Sequence, residues 1–315
     1  MTEKRDIFLR GVVTPVVTPL KKDRSLDQAS FERLIEFELA GGVSALFVLG
    51  TGGEGPYLDP SQREEVITSA VNFVRGRVPV VVGISDIGTA RALRNLELAL
   101  VAGVDGLVST PPFYGEVGEA EIELHFRTLA EAAKGLPLYA YDIPSKVGVK
   151  IPLATTQRLA EEGVIRGIKD SSGDMDEFRR LCLALSGLEG FSVLTGSDSC
   201  ADLALFENAD GMIAGMANVD PHGFARMYQA SLGGDWAAVR AEQDRLFALR
   251  EITQAGLPRV SSFSSTIGSF KAALVHRRVI DCDALQLPLC ELDDRERLMV
   301  ANLVDSAALA PVGMA

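Results

Sequence analysis

Eight times between Gly11 and Ser231 a short apolar run gives way to an amphipathic helical pattern, and no other feature constrains the fold as much. GVVTPVV (Gly11 to Val17) opens the series and is stopped by Pro19. Asp27 then stands where it can cap a helix through Ala40, with Phe31, Leu34, Ile35 and Leu39 at helical spacing. Gly41 and Gly42 end that helix. VSALFVL (Val43 to Leu49) runs directly into GTGGEGPYL, after which Asp59 and Pro60 supply an N-cap and a first-turn proline. Six further runs follow: VPVVVG from Val78, VDGLVST from Val104, LPLYAYDIP from Leu136, VIRGIKD from Val164, FSVLTGSD from Phe191 and ADGMIAGMAN from Ala209. Near-continuous apolar strands alternating with helices read as parallel strands covered on both faces. Eight of them predict an α/β fold, the closed (β/α)8 TIM barrel. A doubly wound open sheet usually has fewer strands, and no GxGxxG follows the first run. After Gly233 the pattern becomes helix after helix, over Asp235 to Glu251, Ser261 to Val279 and Leu292 to Leu309. The expected division is a barrel over residues 1–233 and a C-terminal helical extension over 234–315.

Composition narrows the function. The formal net charge of −12 lacks the basic footprint of a nucleic-acid binder and would be repelled by anionic membrane surfaces. An anionic substrate must therefore be held by local donors, against the overall field. MTEKRDIFLR contains no apolar core of a secretory signal, and the apolar runs are far too short to span a membrane, so a cytoplasmic location is expected. Cys182, Cys200, Cys282 and Cys290 show no paired or zinc-finger spacing and read as free thiols in a reducing compartment. His125, His222 and His276 show no metal-binding spacing, so neither a metal nor another cofactor is expected, and each histidine reads as a surface or satisfied residue.

In a barrel, chemistry sits at the C-terminal ends of the strands. The polar residues expected there are Thr14, Thr18, Thr51, Glu54, Tyr114, Tyr141, Lys146, Lys169, Ser197 and Asn218. Lys169, at the end of an apolar run, must be solvated, paired or used, because an unpaired buried charge is costly. One reading is a salt bridge beside Asp170. The other is an amine nucleophile, which apolar surroundings favour by stabilising the neutral amine that forms a Schiff base with a carbonyl. Lys169 is the one plausible covalent nucleophile in the set, since no histidine lies near to activate a serine. Imine chemistry needs a proton shuttle, for which Tyr141, Thr51 and Tyr114 are candidates. Tyr141 can equally be a core aromatic with a satisfied hydroxyl, and Tyr114, beside Phe113, a loop or interface aromatic. GTGGEG can present consecutive backbone N–H groups to a carboxylate, or can simply be a tight turn that needs positive φ. Glu54 within it reads as an orienting or capping carboxylate. The glycines of TGSD and AGMAN are not accompanied by basic residues, which argues against a phosphate site.

The motifs TPVVTP, GTGGE, TPPFY, YDIPS and GIKDSSGD, in this order, resemble the dihydrodipicolinate synthase / N-acetylneuraminate lyase family of pyruvate-dependent Schiff-base lyases and aldolases. The resemblance runs from Gly11 to about Ser231 and less closely beyond. It implies Lys169 as the imine-forming lysine and Tyr141 as the proton-relay tyrosine, with Thr51 linking Tyr141 to Tyr114 of a neighbouring subunit. It implies substrate contacts from Gly52, Gly53, Lys146, Gly196 and Ile213, and a homotetramer built as a dimer of dimers. Two positions depart from the dihydrodipicolinate synthase pattern. Lys146 stands where an arginine grips the second substrate's carboxylate, and a lysine is not equivalent at a bidentate site. Gly52 stands where a second threonine is usual, so a hydroxyl contact is lost. GTGGE instead resembles the 2-keto-3-deoxy-sugar-acid aldolases, which makes an aldolase of that type the expectation. The alternatives are a true synthase that condenses pyruvate with aspartate semialdehyde, a metal-dependent aldolase or hydratase, and a non-catalytic keto-acid-binding protein on the same barrel.

Overall fold

The structure is a computed structural model and describes residues 7–312. Eight parallel strands close into a barrel in sequence order: β1 (Gly11–Pro15), β2 (Ala45–Val48), β3 (Val80–Gly83), β4 (Gly106–Ser109), β5 (Leu138–Asp142), β6 (Gly167–Asp170), β7 (Ser192–Thr195) and β8 (Gly211–Met212). Between them lie α1 (Gln28–Ala40), α2 (Pro60–Val74), α3 (Thr89–Ala102), α4 (Glu119–Ala132), α5 (Pro144–Val147), α6 (Leu153–Glu161), α7 (Met175–Leu185) and α8 (Ala201–Phe206). α9 (Pro221–Leu232), α10 (Trp236–Leu249), α11 (Ser262–His276) and α12 (Asp294–Ser306) follow the last strand. The sequence signals act as expected at the helix starts. Asp27 accepts from Ser30 N, and Asp59 forms a reciprocal capping box with Gln62 ahead of Pro60.

Strand alternation splits the core into two shells. Val13, Ala45, Phe47, Val81, Val108, Tyr139, Tyr141, Leu194 and Ile213 face inward and fill the barrel, which is plugged below by Ile7 and Leu9. Val12, Leu46, Val80, Val82, Leu107, Ala140, Ile168 and Val193 face outward and meet the helices. Tyr139 Oη donates to Ile7 O at 2.7 Å and closes the floor. Gly167 makes room for that ring, since a Cβ there would lie 2.8 Å from Tyr139 Cδ1.

The observed strands are shorter than the apolar runs. Val43 to Leu49 pairs only over Ala45–Val48, and Ala209 to Asn218 contributes just Gly211–Met212 before the chain tightens into a 3-10 turn, Gly215–Asn218. Hydrophobicity marks what is buried, and the loop backbone beyond the barrel rim is buried too. Between β5 and the helix expected near Leu153, the chain forms the additional short helix α5. Beyond α9, α10 packs on α9, and α11 packs on α12 and on the 3-10 turn Arg250–Gln254. The four cysteines are free thiols. No helix among the described residues is long and apolar enough to cross a membrane.

His125 on α4 is buried, its ring nitrogens 2.9 Å from Thr89 Oγ1 and 3.2 Å from Ser109 Oγ. Burial lowers its pKa from 6.5 to about 4, so the folded protein holds the neutral ring while the unfolded chain takes up a proton between those values. Stability from this site is complete above pH 6.5 and lost as pH falls to 4, by about 3 kcal/mol. Urea unfolding of wild type and His125→Gln at pH 7 and pH 4.5 measures it, and the variant is expected to lose distinctly less stability on acidification.

Candidate active site

Tyr141 and Lys169 are register partners on β5 and β6, and strand parity turns both side chains into the barrel. Lys169 is 5% exposed, with Nζ 4.4 Å from the Tyr141 ring centroid and 5.7 Å from that of Phe47. Phe47 meets Tyr141 edge to face at 6.3 Å. The salt bridge with Asp170 does not form, because alternation turns Asp170 to the other side of β6. There its carboxylate accepts from Ser172 and faces Lys150 Nζ at 3.5 Å. Among the described residues Lys169 has no ion-pair partner. Gly196 keeps the lysine's path open, since a Cβ there would lie 2.7 Å from Lys169 Cε and clash with Ser171 Oγ. Ile213 is buried in the same inner shell, its N–H bonded to Thr195 O at 2.7 Å.

The glycine loop after β2 is shaped by close approach. Cβ atoms on Gly52 and Gly53 would each lie 2.9 Å from a carbonyl oxygen, of Pro15 and Val16 respectively, and one on Gly55 would strike Leu49 O. The positive φ expected of these glycines falls instead on Glu54, at 56°. Thr18 Oγ1 donates to Gly53 O at 2.7 Å, and Arg63 donates to Gly55 O at 2.8 Å. Among the described residues the N–H groups of Gly52 and Gly53 have no hydrogen-bond partner, as an anion cradle requires. Thr51 Oγ1 lies 3.3 Å from Tyr141 Oη within one chain.

Thr51 and Tyr141 line a cavity of about 250 Å³ at the barrel mouth, together with Lys146, Phe113, Tyr57 and Phe263. Lys146, in the last turn of α5, places Nζ 5.0 Å from the Phe263 ring centroid. The cavity wall is mainly apolar, and Lys146 is the one cationic residue among the described residues lining it. Tyr114 does not join it within the chain. It is 96% exposed and holds φ at 85°, which is strained for an aromatic residue. A larger groove, about 550 Å³, lies on the outside between α2 and α3, away from this chemistry.

Other strand-end residues turn out to be braces. Thr14 faces away from the mouth and donates to Glu38 Oε2 at 2.8 Å, where burial holds the Glu38 carboxyl well above its usual range. Asn218 accepts from Val17 N and donates to Pro15 O and Gly215 O, and Ser197 N–H donates to Thr195 Oγ1. Two groups were not legible in the motifs. Lys150 contacts Asp142, and lies 3.5 Å from Asp170 and 3.2 Å from Glu177, behind β5 and β6. Burial pushes Asp142 up to about 6, against the pull of Lys150. The other is α11, which brings Phe263 to the cavity and Lys271 to Glu54 at 2.5 Å. The apolar spacing of α11 signalled a helix but not its seat.

Residues 8–307 match the model of the dihydrodipicolinate synthetase family. An uncharacterised DapA-like lyase of Halobacterium salinarum is 35% identical over 303 residues, covering 96% of this chain and 95% of that protein. Dihydrodipicolinate synthase from Bacteroides thetaiotaomicron is 33% identical, with a TM-score of 0.89 over 95% of this chain and 99% of that one. YagE, an Escherichia coli K12 prophage protein of the dihydrodipicolinic acid synthase family, solved with pyruvate, is 26% identical and has a TM-score of 0.90 over 96% of this chain and all of its own. Fold, motif order and full-length similarity agree: the chain belongs to the dihydrodipicolinate synthetase family and is a lyase.

Proposed function

We propose that the protein is a pyruvate-dependent Schiff-base lyase of the 2-keto-3-deoxy-sugar-acid aldolase type. The observation that carries this reading is Lys169, buried without an ion-pair partner, with Nζ over the Tyr141 ring whose hydroxyl meets Thr51. The pyruvate bound by YagE supports it, as does GTGGE. In this reading Lys169 Nζ attacks the keto carbon of the substrate, and the carbinolamine hydroxyl leaves as water with a proton from Tyr141, giving a protonated imine and the Tyr141 phenolate. Tyr141 removes the proton from the C4 hydroxyl, the C3–C4 bond breaks, and its electron pair flows into the imine to give an enamine and an aldehyde. Protonation of C3 and hydrolysis then release pyruvate and restore the amine. The N–H groups of Gly52 and Gly53 hold the substrate carboxylate, and Gly196 and Ile213 shape the space beside the lysine.

The second reading, condensation of pyruvate with aspartate semialdehyde, is favoured by one observation, the Lys146 cation at the cavity wall. A panel that sets pyruvate plus glyceraldehyde against pyruvate plus aspartate semialdehyde separates the two, and the faster turnover is expected with glyceraldehyde. A non-catalytic keto-acid binder has no use for the Thr51–Tyr141 relay. Strain and exposure at Tyr114 support its service in the site of a neighbouring copy, in a tetramer made as a dimer of dimers.

Three outcomes are expected. Borohydride with pyruvate adds a reduced three-carbon adduct to the wild-type protein by intact-mass spectrometry and none to Lys169→Ala; an unmodified wild type would contradict the reading. Tyr141→Phe lowers turnover on the order of a hundredfold or more while still trapping pyruvate. Mixing inactive Lys169→Ala with inactive Tyr114→Ala protomers restores part of the activity, because one interface then holds an intact site; no recovery in verified mixed oligomers would place Tyr114 outside the relay.

A further inference from the structure

Glu54 and Lys271 form the most deeply buried ion pair among the described residues, each side chain without solvent exposure. They come from opposite parts of the chain. Glu54 lies in the glycine loop, next to Gly53 and with the loop's positive φ, and Lys271 lies in α11. Glu54 Oε1 is 2.5 Å from Lys271 Nζ, and Glu54 Oε2 accepts from Gln286 N at 2.6 Å. Lys271 Nζ also donates to Ala284 O at 2.7 Å. The carboxylate thus reaches outward from the loop and is gripped by α11 and by the segment after it. The same helix sends Phe263 to the cavity wall two turns earlier.

A buried ion pair stabilises a fold little compared with well-packed apolar groups, because desolvation opposes the attraction. What it does supply is a defined geometry. The loop's other restraints are Thr18 on the Gly53 carbonyl, Arg63 on the Gly55 carbonyl, the backbone bonds Glu54 N–H to Thr51 O and Gly55 N–H to Gly50 O, and packing on Pro15, Val16 and Leu49. None of these ties it to the C-terminal helices. Glycine itself restricts neither Gly52 nor Gly53. We propose that Glu54 and Lys271 are positioning residues that tie the Gly52–Gly53 turn to α11, hold its N–H groups toward the mouth and so set the affinity for the carboxylate of a 2-keto acid. The C-terminal extension is then part of the substrate site. This rests on the reading of those N–H groups as the carboxylate cradle.

Two variants test it. Glu54→Asp keeps the pair but draws the loop in by one methylene, and Glu54→Gln/Lys271→Met removes both charges together so that neither is left buried alone. Folding is checked by circular dichroism and thermal unfolding, and pyruvate is titrated in borohydride trapping at Lys169. In a folded variant the half-saturating pyruvate concentration is expected to rise at least tenfold, while trapping at saturation changes less than threefold. A folded variant of either kind with wild-type half-saturation would overturn the proposal. Failure of the wild type to trap pyruvate would instead overturn the imine reading, and the cradle assignment with it.

Discussion

A lysine amine held inside an apolar barrel is the constraint on which the rest of the site depends. Burial of Lys169 follows from parity alone: residues that alternate along β6 send Ile168 to the helices, Lys169 to the interior and Asp170 back outward. A shift of one residue would exchange Lys169 with an aspartate. Register with β5 then sets Tyr141 beside it and Asp142 beside Asp170. The inner face carries an amine and a phenol, and the outer face carries carboxylates. The neutral amine is the form that attacks a carbonyl.

The outer face shows how this arrangement is kept. Lys150 answers the carboxylates of Asp142, Asp170 and Glu177 on the far side of β5 and β6 from Lys169. The backbone continues the same joint, with Ser171 N–H donating to Asp142 O and Gly196 N–H to Asp170 O. Glycines do the remaining work by leaving space: Gly167 for Tyr139 below, Gly196 for Lys169 above. Loop and helix contacts from remote parts of the chain, Asn218 to Pro15 and Lys271 to Glu54, hold the rim.

The barrel was legible because burial on both strand faces leaves eight apolar runs that nothing else explains. Lys169, Tyr141 and Thr51 were legible because their strand-end positions follow from that count. Strand ends were overrun at Val43 to Leu49 and Ala209 to Asn218, where the rim is as buried as the strands. The cause of the GTGGE glycines was legible only in part: close approach to Pro15 and Val16 is a long-range contact that local turn chemistry does not encode. Lys150, Phe263 and Lys271 were hidden for the same reason. Lys271 acts across more than two hundred residues of chain and Phe263 meets residues as remote, while Lys150 joins carboxylates that lie on both sides of it in the chain, where spacing carries no signal. Thr14 shows the converse error, a strand-end polar residue whose parity turns it away from the mouth.

The central claim is that Lys169 forms an imine whose proton traffic runs through Tyr141. Exchange of the pyruvate methyl protons in D2O, followed by proton NMR, reads that step without any aldehyde, because the imine interconverts with its enamine at C3. The wild type is expected to wash out the methyl signal, Tyr141→Phe to do so far more slowly, and Lys169→Ala not at all above buffer. A wild-type protein that exchanges no faster than buffer, or a Lys169→Ala variant that exchanges as fast as wild type, would contradict the account.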